Sequence, residues 1–470
     1  MSKLTDMEYT IKSNLHENEL DSKYKKDNGI FYTDLELANA IVNFLKIPKT
    51  ASIIDPCCGM GSFLFSLKER GYKHLFGCDF DERTVKKCKS VLNMRNIRCI
   101  DTLGNSGNKV LKQINKQRFD YVIGNPPYAA ISGETELNTN SKFSSLVKES
   151  GNNLFVAALY RSFEICKDNG IISVIIPKNL LHISSYKKIR KELLKSKRLL
   201  SVIELGIHFK TVRGEQIVLT FQNCPANPEN EIKFYKYNKG NIEYMSSVLQ
   251  SYYKNEIIVF TGNDEVSIYD KLKSSYKQLG DVCSDYIRRG HDKSKDAITG
   301  KQIRKFGFKN RKVPDKGNQI FIQNIFSAEA GITASFAGNL KPAETVTILK
   351  MENEQLCKYI LGLLHSRVCN YFLIRFEFNN SRLTIHTDAK YLNQIPIVVD
   401  NIAMEDVIEI VNRMEEVEYM SAEWFELNES LNAIVYDIYK ISDEDRKYIE
   451  AEMRKISADK WYGENIHIAC

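Results

Sequence analysis

Short apolar segments alternate with segments of helical spacing through the first half of the chain. LELANAIVNFL illustrates the helical type, with apolar residues at Leu37, Ile41 and Phe44. Seven segments have the length and composition of strands. They are Ala51–Asp55, His74–Asp79, Ile97–Ile100, Phe119–Gly124, Ile171–Ile176, Leu200–Leu205 and Gln216–Phe221. Strands that alternate with helices predict an α/β fold, here a doubly wound, Rossmann-like domain with a seven-stranded sheet.

The alternation is lost after residue 240. Residues 1–28 are polar and weakly patterned, and we expect them to form an N-terminal arm or a short helix. The α/β domain is predicted over residues 29–240 and a mixed α/β domain over residues 241–400. Residues 401–470 have a charged, helical pattern, which predicts a helical C-terminal segment.

Composition places this chain among soluble globular proteins. Of its 470 residues, 43% are hydrophobic and 27% are charged. It has no run of eighteen apolar residues and its first residues lack the apolar core of a signal peptide, so we expect no membrane association. The eleven cysteines are scattered without CxxC pairs, which favours a cytoplasmic protein without disulfides or a metal site.

Positive charge is concentrated in one segment of the second half. The chain has a net charge of +7, and the segment 287–316 alone holds eleven Lys or Arg against three Asp. Such a local excess is expected where a protein binds phosphates, and a solvated loop is the alternative. The candidate phosphate-binding residues, which would contact a nucleic-acid backbone, are Arg288, Arg289, Lys301, Arg304, Lys305, Lys309, Arg311 and Lys312.

A glycine-containing turn and three strand-end carboxylates suggest a nucleoside site. Gly59 and Gly61 follow the strand that ends at Asp55, and a helix is predicted after them. Such a turn lets a ligand approach the backbone at a helix N-terminus. Asp79, at the end of the second predicted strand, could accept both ribose hydroxyls, and Asp101, after the third, could accept an adenine amino group. Helix capping is the alternative role for Asp79 and Asp101.

The tetrapeptide NPPY follows the fourth predicted strand and starts at Asn125. The side-chain oxygen of Asn125 and the carbonyl oxygen of Pro126 can both accept hydrogen bonds from an NH2 group, and the proline rings restrict φ. Tyr128 offers a ring on which a planar base can stack. The tetrapeptide therefore suits a reaction at an exocyclic amine, with an ordinary Asn-Pro turn as the alternative.

Together these motifs resemble the gamma-class N6-adenine DNA methyltransferases, the amino-methyltransferases of restriction–modification systems. Phe31–Thr33 (FYT) looks like the upstream motif of that family, Asp55–Phe63 (DPCCGMGSF) like its donor-binding motif, and Asn125–Tyr128 (NPPY) like its catalytic motif. The resemblance covers roughly residues 29–225. This chain departs from the family at Asp34, where proline is usual.

The resemblance implies S-adenosylmethionine as methyl donor and assigns two sets of residues. The implied catalytic residues are Asn125, Pro126, Tyr128 and Phe209, the last at the position of an aromatic residue that stacks on the flipped target base. The implied donor-binding residues are Tyr32, Thr33, Asp55, Cys57, Gly59, Gly61, Asp79, Asp101 and Asn125.

The implied reaction is methyl transfer to the N6 amine of an adenine flipped out of duplex DNA, with residues 241–400 as the DNA-recognition domain. A methyltransferase that acts on RNA or on a protein glutamine remains the main alternative, because those amines pose the same hydrogen-bonding problem. Glu231 and Lys233 supply only half of a nuclease motif. We therefore expect a separately encoded restriction endonuclease, or none, rather than a fused one. The oligomeric state and the recognition sequence stay open.

Overall fold

The computed structural model describes residues 4–131, 141–209, 214–254, 256–274, 276–381 and 385–464, with the backbone alone at 141–144. The chain divides into two compact units, Met1–Asn263 and Asp264–Cys470. Among the described residues, no helix combines the length and the apolar content that crossing a membrane requires.

The first unit is built on one nine-stranded sheet, so the predicted number of seven strands is wrong. Each of the seven predicted segments corresponds to a strand, and two further strands follow them. The strands are β1 (Ile53–Asp55), β2 (Leu75–Asp79), β3 (Ile97–Cys99), β4 (Phe119–Gly124), β5 (Cys166–Pro177), β6 (Arg198–Gly206), β7 (Gln216–Gln222), β8 (Glu231–Asn238) and β9 (Asn241–Leu249).

The sheet has the order β3-β2-β1-β4-β5-β7-β6-β8-β9. β1 is parallel to both of its neighbours, β2 and β4, whereas β7 is antiparallel to β5 and β6. The chain leaves β1 towards β2 and β3 and returns on the other side to β4. This reversal opens a crevice at the carboxyl ends of β1 and β4, where ligands bind in open α/β sheets.

The domain boundary predicted at residue 240 falls inside a hairpin. β8 and β9 are antiparallel partners, and the turn between them places Lys239 at φ +43 and Gly240 at φ +81. β8 also pairs with β6. Because these backbone hydrogen bonds continue the sheet, the hairpin belongs to the first unit, which extends to Asn263.

Nine α-helices belong to the described part of the first unit. They are α1 (Asp6–Glu19), α2 (Ser22–Asp27), α3 (Leu35–Leu45), α4 (Ser62–Glu69), α5 (Glu82–Leu92), α6 (Gly107–Gln113), α7 (Ser141–Lys148), α8 (Leu154–Ile165) and α9 (Lys187–Ser196). Shorter 3₁₀ helices span Lys178–Leu181, Ser184–Tyr186 and Gln250–Tyr252. The buried side chains of Ile53, Leu64, Ile123 and Val218 form part of one apolar core.

The N-terminal segment is packed against the first unit and is not a free arm. Thr5 caps α1 through a capping box with Glu8. Tyr9 is only 1% exposed. Its hydroxyl lies 3.2 Å from the carbonyl oxygen of Met60 and 3.0 Å from the hydroxyl of Ser62. Because Met60 and Ser62 flank Gly61, Tyr9 packs α1 against the glycine turn at Gly59–Gly61.

The second unit combines small antiparallel sheets with helices. Its strands are β10 (Lys277–Gln278), β11 (Arg288–Arg289), β12 (Ile303–Arg304), β13 (Gly307–Phe308), β14 (Gln319–Gln323), β15 (Ile325–Phe326), β16 (Ala334–Phe336), β17 (Val346–Lys350), β18 (Ile385–His386) and β19 (Pro396–Ile397). The largest sheet has the order β11-β17-β14-β16. Its core includes Phe321 and Val346, both fully buried.

The helices of the second unit include three long ones near its end. They are α10 (Asn263–Ser274), α11 (Leu279–Val282), α12 (Glu354–His365), α13 (Arg367–Phe372), α14 (Ala389–Leu392), α15 (Met404–Glu416), α16 (Ala422–Ile438) and α17 (Asp443–Tyr462), with a 3₁₀ helix at Gly300–Gln302 and a π-helix at Leu373–Glu377. The buried guanidinium of Arg367 donates to Glu429 and Glu450. Residues 401–470, predicted as a separate segment, are therefore part of the second unit.

Candidate active site

A cavity of about 320 Å³ lies at the carboxyl ends of β1, β2 and β4. This is the size of a small-molecule site. The topology brings together side chains that are far apart in sequence. Of the predicted donor-binding residues, Tyr32, Thr33, Asp55, Cys57, Gly59, Asp79, Asp101 and Asn125 line the cavity.

Gly61 is the exception, because its role is conformational. It is the N-cap of α4 at φ +82, a conformation that favours glycine. A Cβ there would lie 2.7 Å from Leu92 Cδ1 and 2.9 Å from Cys88 Sγ, both on α5. Gly59, at φ +50, does line the cavity, and a Cβ there would lie 2.7 Å from the ring of Tyr32. The two glycines therefore let α5 and Tyr32 pack closely on the turn.

Asp79 is held by backbone amides and keeps acceptor capacity. Its Oδ2 accepts from the N–H of Gly59 at 2.9 Å, and its Oδ1 accepts from the N–H of Asp81 at 3.0 Å. Burial raises the pKa of Asp79 to about 6, against the lowering effect of these N–H groups. A carboxylate can accept about four hydrogen bonds, so two positions remain for ligand hydroxyls.

Asp101 closes a turn after β3. Its Oδ1 accepts from the N–H groups of Leu103 at 3.0 Å and Gly104 at 2.8 Å. Asp79 and Asp101 do not cap a helix, because the N-caps of α5 and α6 are Asp81 and Ser106. The carboxylate of Asp101 orders a turn and lines the cavity. The same amides orient its second oxygen, which stays available to a ligand donor.

Asp55 is the most buried carboxyl group of the cavity, with 3% of its surface exposed. Burial raises its pKa to about 8, and the N–H of Cys57, which donates to Oδ1 at 3.2 Å, opposes this rise. A Cβ on Gly124 would approach the same Oδ1 to 2.7 Å. Glycine at position 124 is therefore required for Asp55 to occupy this position.

The lining of the cavity is acidic. Asp27, Asp55, Asp79 and Asp101 contribute to it, and the lining residues that the structure describes include no lysine or arginine. Buried carboxyl groups without a basic partner favour a cationic ligand, because a nearby positive charge stabilises their ionised form. A phosphate-bearing dinucleotide, which other Rossmann-like domains bind, would be repelled here.

Asn125 lines the cavity with its carboxamide oriented by two partners. Its Nδ2 donates to the carbonyl oxygen of Phe31 at 3.1 Å, and its Oδ1 accepts from the hydroxyl of Tyr128 at 2.6 Å. That hydroxyl also lies 3.0 Å from the carbonyl oxygen of Ile175. Burial holds the pKa of Tyr128 well above its ordinary value, so the hydroxyl keeps the proton that it donates.

Pro126 and Tyr128 lie beside the cavity and do not line it. Pro126 is buried and Tyr128 is half-buried. The ring of Tyr128 is 5.9 Å from that of Phe31 and 6.3 Å from that of Phe155, measured between ring centres. These neighbours fix the plane of the ring that was predicted to stack on a base.

Phe209 does not lie at the cavity in this structure. It is 8% exposed and packs in the apolar core of the first unit, so the predicted position beside the target base is not observed. The side chain of Gln216 accepts from the N–H groups of His208 and Phe209, which ties this segment to β7. Residues 210–213 lie outside the described residues.

Asp34, the departure from the family pattern, connects two parts of the site. Its Oδ1 accepts from the N–H of Leu37 at 2.9 Å and caps α3. Its Oδ2 lies 2.6 Å from His208 Nε2. The pair joins the segment of Tyr32 and Thr33 to the segment of Phe209, a connection that proline could not make.

Sequence reasoning missed residues that act through position rather than type. The carbonyl group of Phe31 holds Asn125, and a backbone carbonyl carries no signal in a sequence. Phe80 is 44% exposed and lines the cavity directly after Asp79. An apolar residue that follows a strand-end acid was the signal available for Phe80.

In the second unit, most predicted DNA-binding residues are accessible. Arg304 is half-exposed. The prediction for Lys305 is wrong for this conformation, because Lys305 is 7% exposed and its Nζ lies 4.1 Å from the centre of the Trp461 ring. Burial, with repulsion from nearby cations, lowers the pKa of Lys305 to about 7. The exposed members of the set are Arg288, Arg289, Lys301, Lys309, Arg311 and Lys312.

The sequence profile of the family described as N-6 DNA Methylase matches residues 12–258, which is more than half of the chain. The chain belongs to the N-6 DNA methylase family. This membership confirms the resemblance to the N6-adenine methyltransferases of restriction–modification systems. The matched region holds the glycine turn, the strand-end acids and NPPY.

Curated relatives of this N-6 DNA methylase include the type II methyltransferase M.VspI of Vibrio sp., which is 29% identical over 226 residues, 45% of this chain and 52% of that protein. The tRNA (guanine(10)-N2)-dimethyltransferase of Methanocaldococcus jannaschii is 30% identical over 166 residues, 33% of this chain and 46% of that protein. The chain therefore spans about half the length of the curated relatives it matches.

A solved structure extends the similarity of fold over both units. The type IIL restriction–modification enzyme MmeI in complex with DNA matches with a TM-score of 0.55 and 14% identity. The match covers 96% of this chain and 82% of that one. At this identity, the likeness concerns the fold alone.

Proposed function

We propose that this N-6 DNA methylase transfers a methyl group from S-adenosylmethionine to the N6 amine of an adenine flipped out of duplex DNA, as part of a restriction–modification system. The observation that carries the proposal is the carboxamide of Asn125, which Phe31 and Tyr128 hold at the wall of an acidic cavity. A polar group oriented in this way can bind an amine and present it for reaction.

The cavity suits the methyl donor on charge and on shape. S-adenosylmethionine carries an ammonium group, a sulfonium group and one carboxylate, a net charge of +1, and the described lining residues include carboxylates and no lysine or arginine. Asp79 has two acceptor positions for ribose hydroxyls, and Asp101 has an oxygen for the adenine amine. Binding of the cationic donor would lower the raised pKa values of Asp55 and Asp79, because opposite charges favour the ionised carboxylates.

The chemistry requires a nitrogen lone pair that is not delocalised into the adenine ring. Hydrogen bonds from the N6 amine to Asn125 Oδ1 and to the Pro126 carbonyl would favour a pyramidal nitrogen. When bound, the donor supplies an electrophilic methyl group on sulfur, and in-line attack forms the N–C bond as the S–C bond breaks. The methylated nitrogen would release its proton to a water molecule, so the residues need only orient the amine.

The target base must leave the duplex to reach Asn125, at a cost of a few kcal/mol. Stacking on Tyr128 would offset part of this cost, by about 1–3 kcal/mol. A similar contribution from Phe209 requires that the segment after β6 rearrange from the position seen here. The exposed basic segment of the second unit would bind phosphates of the duplex.

RNA is the alternative substrate, since one relative is named as a tRNA methyltransferase. The family description and the exposed basic segment favour DNA. A fused nuclease occurs in some relatives, such as the type II restriction enzyme and methyltransferase RM.Eco57I of Escherichia coli. We propose that a separately encoded endonuclease, or none, acts beside this methyltransferase.

The test compares Asn125→Ala with Asn227→Ala, an exposed asparagine outside the cavity. We expect Asn125→Ala to retain binding of DNA and of radiolabelled donor, and to lose transfer by ~10²-fold or more, well beyond any loss of donor affinity. Long-read sequencing of DNA from a methylation-free host that expresses each variant identifies the modified base and its motif. Wild-type transfer by Asn125→Ala, or donor binding without any DNA methylation by the wild type, would contradict the proposal.

A further inference from the structure

Among the described residues of the basic segment, Arg289 is the exposed cation that donates a hydrogen bond to a carboxylate. It lies on β11, the edge strand of the four-stranded sheet, and its Nη2 donates to Asp388 Oδ1 at 2.8 Å. The side chains of Arg289 and Asp388 are 49% and 39% exposed, so both remain accessible. The guanidinium uses one of its five N–H groups in this bond and keeps four.

Hydrogen bonds of the surrounding backbone hold the Arg289–Asp388 pair in place. Arg289 is the register partner of Thr347 on β17. The hydroxyl of Thr347 donates to the carbonyl oxygen of Thr387, which is 1% exposed. Asp388 follows Thr387 directly and is the N-cap of α14, yet its side chain makes no capping hydrogen bond. The carboxylate of Asp388 therefore accepts a hydrogen bond from Arg289 instead of capping α14.

The remaining exposed cations have a different environment. Within the described residues, Lys301, Lys309, Arg311 and Lys312 have no carboxylate within ion-pair distance. Arg288 lies 3.6 Å from Asp285, three residues earlier, in a looser pair without a hydrogen bond. Unpaired, exposed cations on flexible side chains suit phosphates, which need charge and little orientation.

A carboxylate beside an arginine changes what the arginine can bind. Asp388 would repel a phosphate that approached Arg289, whereas it would tolerate a neutral base edge. The carboxylate also restricts the guanidinium to one plane, which preorganises two parallel N–H groups. Two such donors match N7 and O6 of guanine in the major groove, and no other base presents two acceptors there.

We propose that Arg289, oriented by Asp388, reads a guanine, so the recognition sequence of this methyltransferase contains a G·C pair. The inference rests on the proposed function, and it adds a specificity-determining residue to it. The unpaired cations of the segment hold the backbone and carry no sequence information.

The test first determines the methylated motif of the wild type by long-read sequencing. Competition binding then uses duplexes that contain this motif, with each guanine replaced in turn by 7-deazaguanine, which lacks the N7 acceptor. We expect one guanine at which the replacement weakens wild-type binding by roughly tenfold or more. Arg289→Lys keeps the charge and loses the paired donors, so its binding should be insensitive to the same replacement.

Two further variants separate this role from general electrostatics. Arg311→Lys, the matched control, should retain full sensitivity to 7-deazaguanine. Asp388→Asn should bind duplexes without the motif more tightly than the wild type, because the repulsion of phosphate is removed. Tryptophan fluorescence verifies that the second unit of each variant is folded, because Trp424 and Trp461 both belong to that unit.

The outcomes distinguish failure of the proposed function from failure of the role assigned to Arg289. If the wild type methylates no DNA, the proposed function fails before any variant is compared. If a methylated motif contains no guanine, or if Arg289→Lys keeps the wild-type sensitivity at every guanine, the assignment of Arg289 is wrong while the proposed function stands.

Discussion

Replacing Tyr128 with phenylalanine separates the hydroxyl of this residue from its ring. The hydroxyl carries one proton and has two acceptors, Asn125 Oδ1 at 2.6 Å and the Ile175 carbonyl oxygen at 3.0 Å. The shorter distance assigns the proton to Asn125, whose carboxamide it orients. In the proposed reaction, the proton would turn to the Ile175 carbonyl when the target amine binds, which leaves Asn125 Oδ1 to the amine.

The magnitude follows from the value of one hydrogen bond. A typical intramolecular hydrogen bond contributes about 0.5–1.5 kcal/mol, which corresponds to a factor of roughly 2 to 10 in rate. We therefore expect Tyr128→Phe to lower kcat by this factor. KM for the donor should not change, because Tyr128 does not line the cavity. The ring remains, so base stacking should persist.

The assay combines steady-state methylation of a duplex substrate with the fluorescence of 2-aminopurine at the target position, which reports base flipping. Tyr244→Phe is the control, since Tyr244 is 59% exposed on β9. A wild-type kcat for Tyr128→Phe would refute the positioning role of the hydroxyl. A raised donor KM with unchanged kcat would mean that Tyr128 acts on the donor instead.

Two other substitutions test the packing of each unit. Gly124→Ala would place a Cβ 2.7 Å from Asp55 Oδ1, so we expect the protein to be destabilised by about 1–3 kcal/mol and to bind the donor more weakly. Gly262→Ala is the control, because a Cβ there would have no atom within 4 Å, and it should show neither effect. Thermal melting and donor titration measure the two effects. For Lys305, burial lowers the pKa to about 7, so the unfolded chain binds more protons above that pH and the stability of the second unit should rise as pH increases from about 7 towards the ordinary lysine pKa. Lys305→Met should flatten this rise in stability, whereas the control Lys309→Met, at an exposed position, should keep it. Unfolding followed by tryptophan fluorescence measures the stability, because both tryptophans, Trp424 and Trp461, belong to this unit. An identical dependence of stability on pH in both variants would mean that Lys305 does not titrate in this pH range.

The local pattern of apolar residues was enough to predict the strands that carry the candidate site. β1, β2 and β4 are short and mostly apolar. β1 and β2 end at Asp55 and Asp79, and Asn125 follows β4 directly. Asp55, Asp79 and Asn125 could therefore be predicted at one edge of the sheet, because parallel strands place their carboxyl ends together.

The same reasoning failed where burial depends on distant residues. Charge counting placed Lys305 with the DNA-binding residues, but Phe306, at φ +58, forms a turn beside which Lys305 packs under Trp461. Phe209 was assigned from its position in a motif, whereas the structure packs it in the core. β8 and β9 were missed because they extend the sheet beyond the pattern of alternating helices and strands.

The sequence by itself determined the chemical class of the site, since side-chain type and spacing along single strands decide which donors and acceptors are present. Only the tertiary structure decided how those groups are held. The bond from Asn125 to the Phe31 carbonyl, the pair of Asp34 and His208, and the pair of Arg289 and Asp388 each join residues about a hundred positions apart or more. No local pattern specifies such contacts, because they depend on the order of strands in the sheet and on the path of the loops that connect them.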